Sequence, residues 1–386
     1  MSSGIRSSLW ILFWRNKYLR RENMKRSKLM VIGGFLGAGK TTSMIEIENV
    51  LKTIGQKVAL ITNDQTAFQV DTHYVETQKI PVEEVSGSCF CCNFDKFKEV
   101  IEKLQEEDTH FILAEPVGSC TDLVSTIMKP IKMGKAGNVE ILPLSVVVEP
   151  RRLMDLMNQD TSLLSKDVYY LFSKQMEEAD IIILNKLDTI SVKDRKLLKE
   201  FLEITYPTSQ ILEISAREGT GIEKWLLAVL CSDQKTTNIK KINLEYDTYA
   251  NAEAEMGWLN ANAQLNAENL INGNDILFDL GKKIKDLITQ SGGEIGHLKL
   301  FLKSEGEASK ISCVGVNQPI DVASEFTKPI KNGDLIINIR ATVSPEELSR
   351  ITQISIKRLE EAHKLEVENF EVQAFRPSYP TPTYRY

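Results

Sequence analysis

"KLMVIGGFLGAGKTTSMIEIENVLKTIG" occupies residues 28–55, and its reading decides the fold. Residues 28–34 are an apolar run of strand length, and residues 41–55 carry the spacing of a helix. In the turn between them Gly34, Gly39, Lys40 and Thr41 satisfy GxxxxGK[ST]. Such a turn lets backbone N–H groups point inward around a polyphosphate, while the lysine reaches the outer phosphates and the threonine hydroxyl can hold Mg2+. Gly34, Gly37, Ala38, Gly39, Lys40, Thr41 and Thr42 are therefore the expected phosphate contacts. The motif is specific here because it stands between a strand and a helix.

Further apolar runs follow at "KVALIT" (57–62), "HFILAEP" (110–116), "ILPLSVVVEP" (141–150), "ADIIILNK" (179–186) and "SQILEISA" (209–216), most of them separated by helical stretches. Strand and helix in alternation imply right-handed crossovers and a mainly parallel sheet covered on both faces. The expected fold is an α/β P-loop NTPase domain over residues 28–232, preceded by a basic extension (1–27) that reads as disordered.

A polar stretch at 233–241 reads as a linker, and a smaller α+β domain of ferredoxin-like type is expected over 242–376. Its first element is expected to be a strand, since Tyr246, Ala250, Ala252, Ala254, Met256 and Trp258 fall on one parity. Leu277, Leu280, Ile284, Leu287 and Ile288 share a helical face, and Leu335, Ile337, Ile339, Ala341 and Val343 alternate as in a half-buried strand. Ser344, Pro345 and Glu347 open a further helix. The proline-containing tail, 377–386, is expected to be extended rather than packed.

The base is read from "LNKLD" (184–188) at the end of an apolar strand. The Asp188 carboxylate can accept from guanine N1–H and the 2-amino group, with Asn185 and the Lys186 stem shaping the pocket; adenine offers no such donor pair. Ser215 and Ala216, after the next strand, place backbone near the guanine oxygen. GTP is the expected nucleotide.

"VSGSCFCCNF" (85–94) puts Cys89, Cys91 and Cys92 within four residues, half of the six cysteines in a 386-residue chain. Thiolates select zinc and related transition metals, and three of them fill three corners of a tetrahedron. A redox-active thiol pair, or plain burial, are the other readings. His73, near the switch segment, is considered as a fourth ligand, although an isolated histidine is more often a surface or packing residue. Cys120, two residues after Gly118, is expected near the site, although a lone cysteine is more often core.

Six cysteines in so long a chain do not make a disulfide framework, and a reducing cytoplasm fits them. A net charge of -6 gives no global affinity for nucleic acid. The segment "LWILFW" (9–14), followed by Arg15, Lys17, Arg20 and Arg21, is too short to span a bilayer. A disordered extension, a start at Met24 or Met30, and a peripheral or targeting segment are the readings left.

The phosphate loop, the cysteine cluster and Glu115 with Gly118, together, resemble the CobW family of GTPases, kin to the nickel-insertion proteins HypB and UreG. The resemblance covers about residues 28–230 and implies a GTP-hydrolysing metallochaperone. In it Cys89, Cys91 and Cys92 hold Zn2+ or Co2+, and Thr41 with Asp64 or Glu115 holds Mg2+. Lys40, Asp64 and Glu115 are the implied catalytic residues. A client metalloprotein or a cobalamin-pathway protein is the implied partner, with a homodimer around nucleotide. Cobalamin or corrinoid protein maturation, or a nucleotide-dependent binding module with little turnover, are the alternatives. The segment "NDQTAFQVD" (63–71) departs from the family form, with Ala67 where a glutamate is usual; Glu149 likewise replaces an aspartate.

Overall fold

The computed structural model describes residues 26–65, 69–161, 164–233, 237 and 239–386. The basic extension up to residue 25, Ala67 and part of the expected linker lie outside the described residues. The first half of the chain alternates as its sequence requires. β1 (Lys28–Gly33), α1 (Lys40–Thr53), β2 (Val58–Asn63), α2 (Val70–Thr77), β3 (Val82–Val85), α3 (Phe94–Glu106) and β4 (Phe111–Ala114) come first. A π-helical turn (Val124–Met128) leads into α4 (Lys129–Lys132), β5 (Glu140–Ile141), β6 (Ser145–Val148), α5 (Pro150–Asn158) and α6 (Lys166–Glu178). The unit continues through β7 (Ile181–Leu184), α7 (Val192–Thr205), β8 (Gln210–Glu213), α8 (Ile222–Cys231) and α9 (Tyr246–Glu255).

The strands lie in the order β3-β2-β4-β1-β6-β7-β8, every adjacent pair parallel, and β5 also pairs with β1. β1 is central and buried on both faces: Leu29 and Val31 enter the core under α3, α6 and α7, Met30 and Ile32 the core under α1 and α8. A strand covered on both sides has no polar face, hence its unbroken apolar run. β4 and β6 flank β1 on opposite sides, so the chain leaves it at the point where strand order reverses, where parallel sheets open a crevice. The phosphate loop lies there. At Gly34 (φ +131) a Cβ would sit 2.2 Å from the Val147 carbonyl oxygen, so only glycine lets the loop leave the sheet in this direction.

The second unit is a six-stranded antiparallel sheet, β12-β11-β10-β13-β9-β14. It comprises β9 (Gly257–Ile271), α10 (Gly273–Gln290), β10 (Ile295–Ser304), β11 (Glu307–Cys313), β12 (Asp321–Ser324), β13 (Ile330–Ala341), α11 (Pro345–His363) and β14 (Leu365–Phe375). Without the β11–β12 hairpin this is a βαββαβ ferredoxin-like order. Leu298, Leu300, Leu302, Leu335, Ile337 and Ile339 face the core beneath α10 and α11. The opposite parity does not face solvent: His297, Asn338 and Arg340 are buried too, and Phe301 and Ile336 pack on Val70 of α2. This sheet face lies on the first unit.

Two expectations are corrected. The stretch expected as a strand from Tyr246 is helix α9, with Tyr249, Ala252, Glu253 and Met256 buried at the i, i+3, i+4, i+7 spacing of one helical face. Its alanines and glutamates favour helix, and their period-two pattern is incidental. α9 packs on α6, and Ile242, Leu244, Tyr249, Ala252 and Met256 join the core of the parallel sheet. The tail is extended, but it is packed: the Thr383 N–H donates to the Cys91 carbonyl (2.8 Å), the Tyr384 ring meets Phe94 edge-on (5.1 Å), and Arg385 bonds Asp122 (2.8 Å). No helix among the described residues is long and apolar enough to cross a membrane.

Candidate functional site

A cavity of about 400 Å³ lies over the C-terminal edge of the parallel sheet. Gly37, Gly39, Lys40, Thr41 and Thr42 border it at one end, and Asn185, Lys186, Asp188 and Ala216 at the other. α1 starts at Lys40, so its N-terminal N–H groups and positive dipole end face the cavity. Lys40 Nζ donates to the carbonyls of Gly34 (2.9 Å) and Phe35 (3.3 Å) and lies 3.6 Å from the Glu115 carboxylate. Burial pushes its pKa down, and Glu115 pulls it back up. Thr41 Oγ1 donates to Glu115 Oε2 at 2.7 Å, which brings together two hard oxygen donors of the kind Mg2+ takes.

At the base end one side chain ties three loops together. Asn185 Nδ2 donates to the Ala38 carbonyl (2.9 Å), and Asn185 Oδ1 accepts from the Ala216 N–H (3.0 Å). Ser215 Oγ donates to Asp188 Oδ1 at 2.6 Å. Gly34, Ala38 and Ser215 thus act from behind the cavity wall, while the other sequence-derived nucleotide residues border it. Lys186 takes the left-handed conformation (φ 57) that turns the chain after β7.

The thiols form a second centre. Cys89 and Cys91 are buried and Cys92 half-buried, and the three sulfurs lie within 4.8 Å of one another. Cys89 Sγ is 2.9 Å from Cys91 Sγ, and Cys91 Sγ is 3.8 Å from Cys92 Sγ. A turn closes the stretch, the N–H groups of Cys92 and Asn93 both donating to the Cys89 carbonyl. Asn63, the last residue of β2, anchors it: its Nδ2 donates to the carbonyls of Val85 (2.8 Å) and Ser88 (2.9 Å), and its Oδ1 accepts from the Phe90 N–H (3.0 Å). Hydrogen bonds from Cys120, Cys91 and Cys92 hold the Cys89 thiol well below the usual range. The same bonds push Cys91 and Cys120 up, and Cys92 up to about 11. Such a donor set suits a soft or borderline metal ion.

Cys120, expected near the site from the sequence, shares the buried core of Cys89 and Cys91. Other neighbours of the site were not legible in the sequence. Glu253 of α9 is buried and accepts from Oγ of Ser119 (2.5 Å), the residue before Cys120; desolvation raises its pKa to about 8. His73, considered as a further ligand, instead pairs with Glu76 (3.1 Å) and stacks on Phe301 (6.3 Å), outside the group of clustered sulfurs. Asp64 does not stand open to solvent: Arg340 of β13 holds both its oxygens, at 3.0 and 2.8 Å. Asp71 is likewise clasped by Lys299 and Lys310; burial opposes its ionisation, but the two ammonium groups outweigh that and hold its pKa far down. Lys40, Asp64, Glu115, Lys299 and Arg340 border one small cavity between the two units.

The family model described as CobW/HypB/UreG, nucleotide-binding domain, matches residues 28–213. The zinc-regulated GTPase metalloprotein activator 1 of Dictyostelium discoideum is 24% identical over 226 residues, which are 50% of this chain and 47% of that protein. The zinc chaperone CobW of Sinorhizobium sp is 27% identical over 212 residues, 49% of this chain and 58% of the relative. The chain thus spans about half the length of the curated relatives it matches. Among solved structures, HypB from Helicobacter pylori in complex with nickel gives a TM-score of 0.40 at 14% identity, over 61% of this chain and 100% of that one.

Proposed function

We propose, from the match of residues 28–213 to the CobW/HypB/UreG nucleotide-binding domain model and from the site's geometry, that the protein is a GTP-hydrolysing metallochaperone. It holds zinc or cobalt as cargo on Cys89, Cys91 and Cys92 and passes it to a client metalloprotein in the cytoplasm. The backbone amides of the phosphate loop and Lys40 bind the β- and γ-phosphates, and Asp188 selects guanine. Thr41 and Glu115 fit Mg2+, which when bound neutralises charge on the β- and γ-phosphate oxygens. Asp64, the first residue after β2, orients the attacking water through the oxygen lone pairs that Arg340 leaves free, and Lys40 stabilises charge developing on the phosphates.

One observation carries the reading. The loop following β4 runs from one centre toward the other: at its start Glu115 bonds Thr41, and five residues on Cys120 enters the same buried core as Cys89 and Cys91. Between them, the backbone at Gly118 approaches so closely that a Cβ would sit 3.2 Å from the backbone nitrogen of Leu36 in the phosphate loop. A γ-phosphate that moves Glu115 also moves a neighbour of the thiols, and coupling between two ligands is reciprocal.

The test is zinc and cobalt affinity measured with a non-hydrolysable GTP analogue and with GDP, alongside turnover with and without metal. Affinity should differ between the nucleotides, and Cys89→Ala should abolish metal-dependent turnover. Equal affinities and metal-independent turnover would leave two unrelated sites and refute the proposal.

A further inference from the structure

We infer that the second unit completes the phosphate site: Lys299 and His297 of β10 hold the terminal phosphate of the nucleotide together with Lys40. This rests on the GTP-hydrolysing part of the function proposed above and adds the residues that distinguish a triphosphate from a diphosphate.

Two cavities meet at the phosphate loop. The large one lies over the sheet edge, and the small one, of about 40 Å³, lies between the two units. Gly37, Lys40, Asp71, Glu115, His297 and Lys299 border both. Lys40 and Glu115 mark the phosphate end, the first through its bonds to the loop and the second through Thr41. His297 and Lys299 are the residues that the second unit brings to this boundary. They are alternate residues of β10, opposite Arg340 and Asn338 of β13, on the sheet face that lies on the first unit. The approach is close: a Cβ on Gly296 would sit 3.1 Å from Leu36 Cδ1, and one on Gly37 would sit 2.2 Å from Val314 Cγ2. The second unit and the phosphate loop are thus in direct contact.

Neither side chain has a full set of partners. Lys299 and Lys310 share the single carboxylate of Asp71, so two ammonium groups, 18% and 7% exposed, hold one negative charge between them. His297 is 7% exposed, and neither ring nitrogen has a hydrogen-bond partner among the described residues. Buried polar groups are nearly always bonded, and a buried charge without a full counter-charge is costly. A terminal phosphate meets both needs. Its oxygens accept from the N–H groups that Lys299 does not give to Asp71 and from the imidazole N–H, and bonds to an ionised acceptor are the strong ones. A diphosphate lacks that group, and Lys299 stays with Asp71. The triphosphate therefore draws β10 onto the phosphate loop, which carries the nucleotide state into the second unit.

The experiment titrates the full chain, with Mg2+ and no transition metal, with fluorescent GDP and a fluorescent non-hydrolysable GTP analogue. Wild type is compared with Lys299→Met, Lys299→Arg and His297→Phe, and thermal unfolding of the nucleotide-free forms checks that each is folded. Lys299→Met should lose about tenfold or more in affinity for the triphosphate analogue and less than about threefold for GDP. Lys299→Arg keeps the charge and should recover most of that loss. His297→Phe has no ion pair to lose, and its affinity should fall about threefold or more for the analogue alone. A residue that only docks the two units would weaken both nucleotides alike. Equal losses for the two nucleotides, or no loss, in Lys299→Met or His297→Phe would overturn the inference and leave nucleotide binding by the first unit intact. A wild type that binds neither nucleotide would sink the GTP-hydrolysing reading with it.

Discussion

At the scale of single residues, the nucleotide pocket depends on short side chains that each bond two loops. Asn185 joins the phosphate loop to the Ala216 turn, and Asp188 is oriented by Ser215 before any base arrives. Pre-orientation matters because a carboxylate already aimed loses little freedom on binding. Replacing Asp188 by Asn exchanges a charged acceptor for a group that presents an N–H toward guanine's donors. Two charge-assisted bonds at about 1.5–3 kcal/mol each are at stake, so GTP affinity should fall by about two orders of magnitude or more. A fluorescent-nucleotide titration reads this directly; unchanged GTP affinity in Asp188→Asn would place the base elsewhere. Asn63 does comparable work for the thiols, yet in the sequence it is only the last residue of a strand.

Among the elements, α9 and the tail are the informative ones. Both come from regions read as belonging elsewhere or as unpacked: the tail lies on the thiol stretch through Thr383 and Tyr384, and α9 joins the same core, its Glu253 bonded to Ser119. The tail's grip combines a backbone bond to Cys91, the Arg385–Asp122 ion pair, Tyr384 against Phe94 and a backbone bond from Tyr386 to the Ser125 carbonyl. A segment held by so few contacts opens more readily than the sheet beneath it. Removing residues 377–386 should therefore raise the rate at which Cys91 and Cys92 react with a thiol reagent by about tenfold or more, with little change in GTP affinity. Reaction rates equal to those of the full chain would show that the tail does not shield the thiols.

Across the whole molecule, the second unit closes over the first through charge. Arg340 reaches Asp64, Lys299 and Lys310 reach Asp71, and the Arg152 guanidinium donates to the carbonyls of Ile295 (3.0 Å) and Gly296 (3.2 Å). Arg340 is 1% exposed and also lies over the Trp258 ring at 4.1 Å. Removing one partner of a buried pair leaves the other charge uncompensated, so Arg340→Ala should cost about 3–5 kcal/mol, read by urea unfolding. It should also free Asp64 and alter GTP turnover. A loss below about 1 kcal/mol, the range of a surface pair, would mean that the two units do not depend on this contact. The same interface holds His297 neutral, because burial first, and then Lys299 and Arg340, disfavour its protonation. What the sequence by itself determined was everything encoded by local chemistry: the phosphate turn, the polar turn that follows β7, the three-thiol stretch and the alternation that makes a parallel sheet. Each is a contiguous string whose residue types have few other uses. What only the tertiary structure decided was which distant side chains meet. Ser119 with Glu253, Arg340 and the lysines with the switch segment, and the tail over Cys91 are separated by more than a hundred residues each. In each, the string alone reads equally well as packing, solvent face or loose end. The polar parity of β10 and β13 is the plainest case: alternation fixes that one face is apolar, and only the docking of two units turns the other into a buried charged interface.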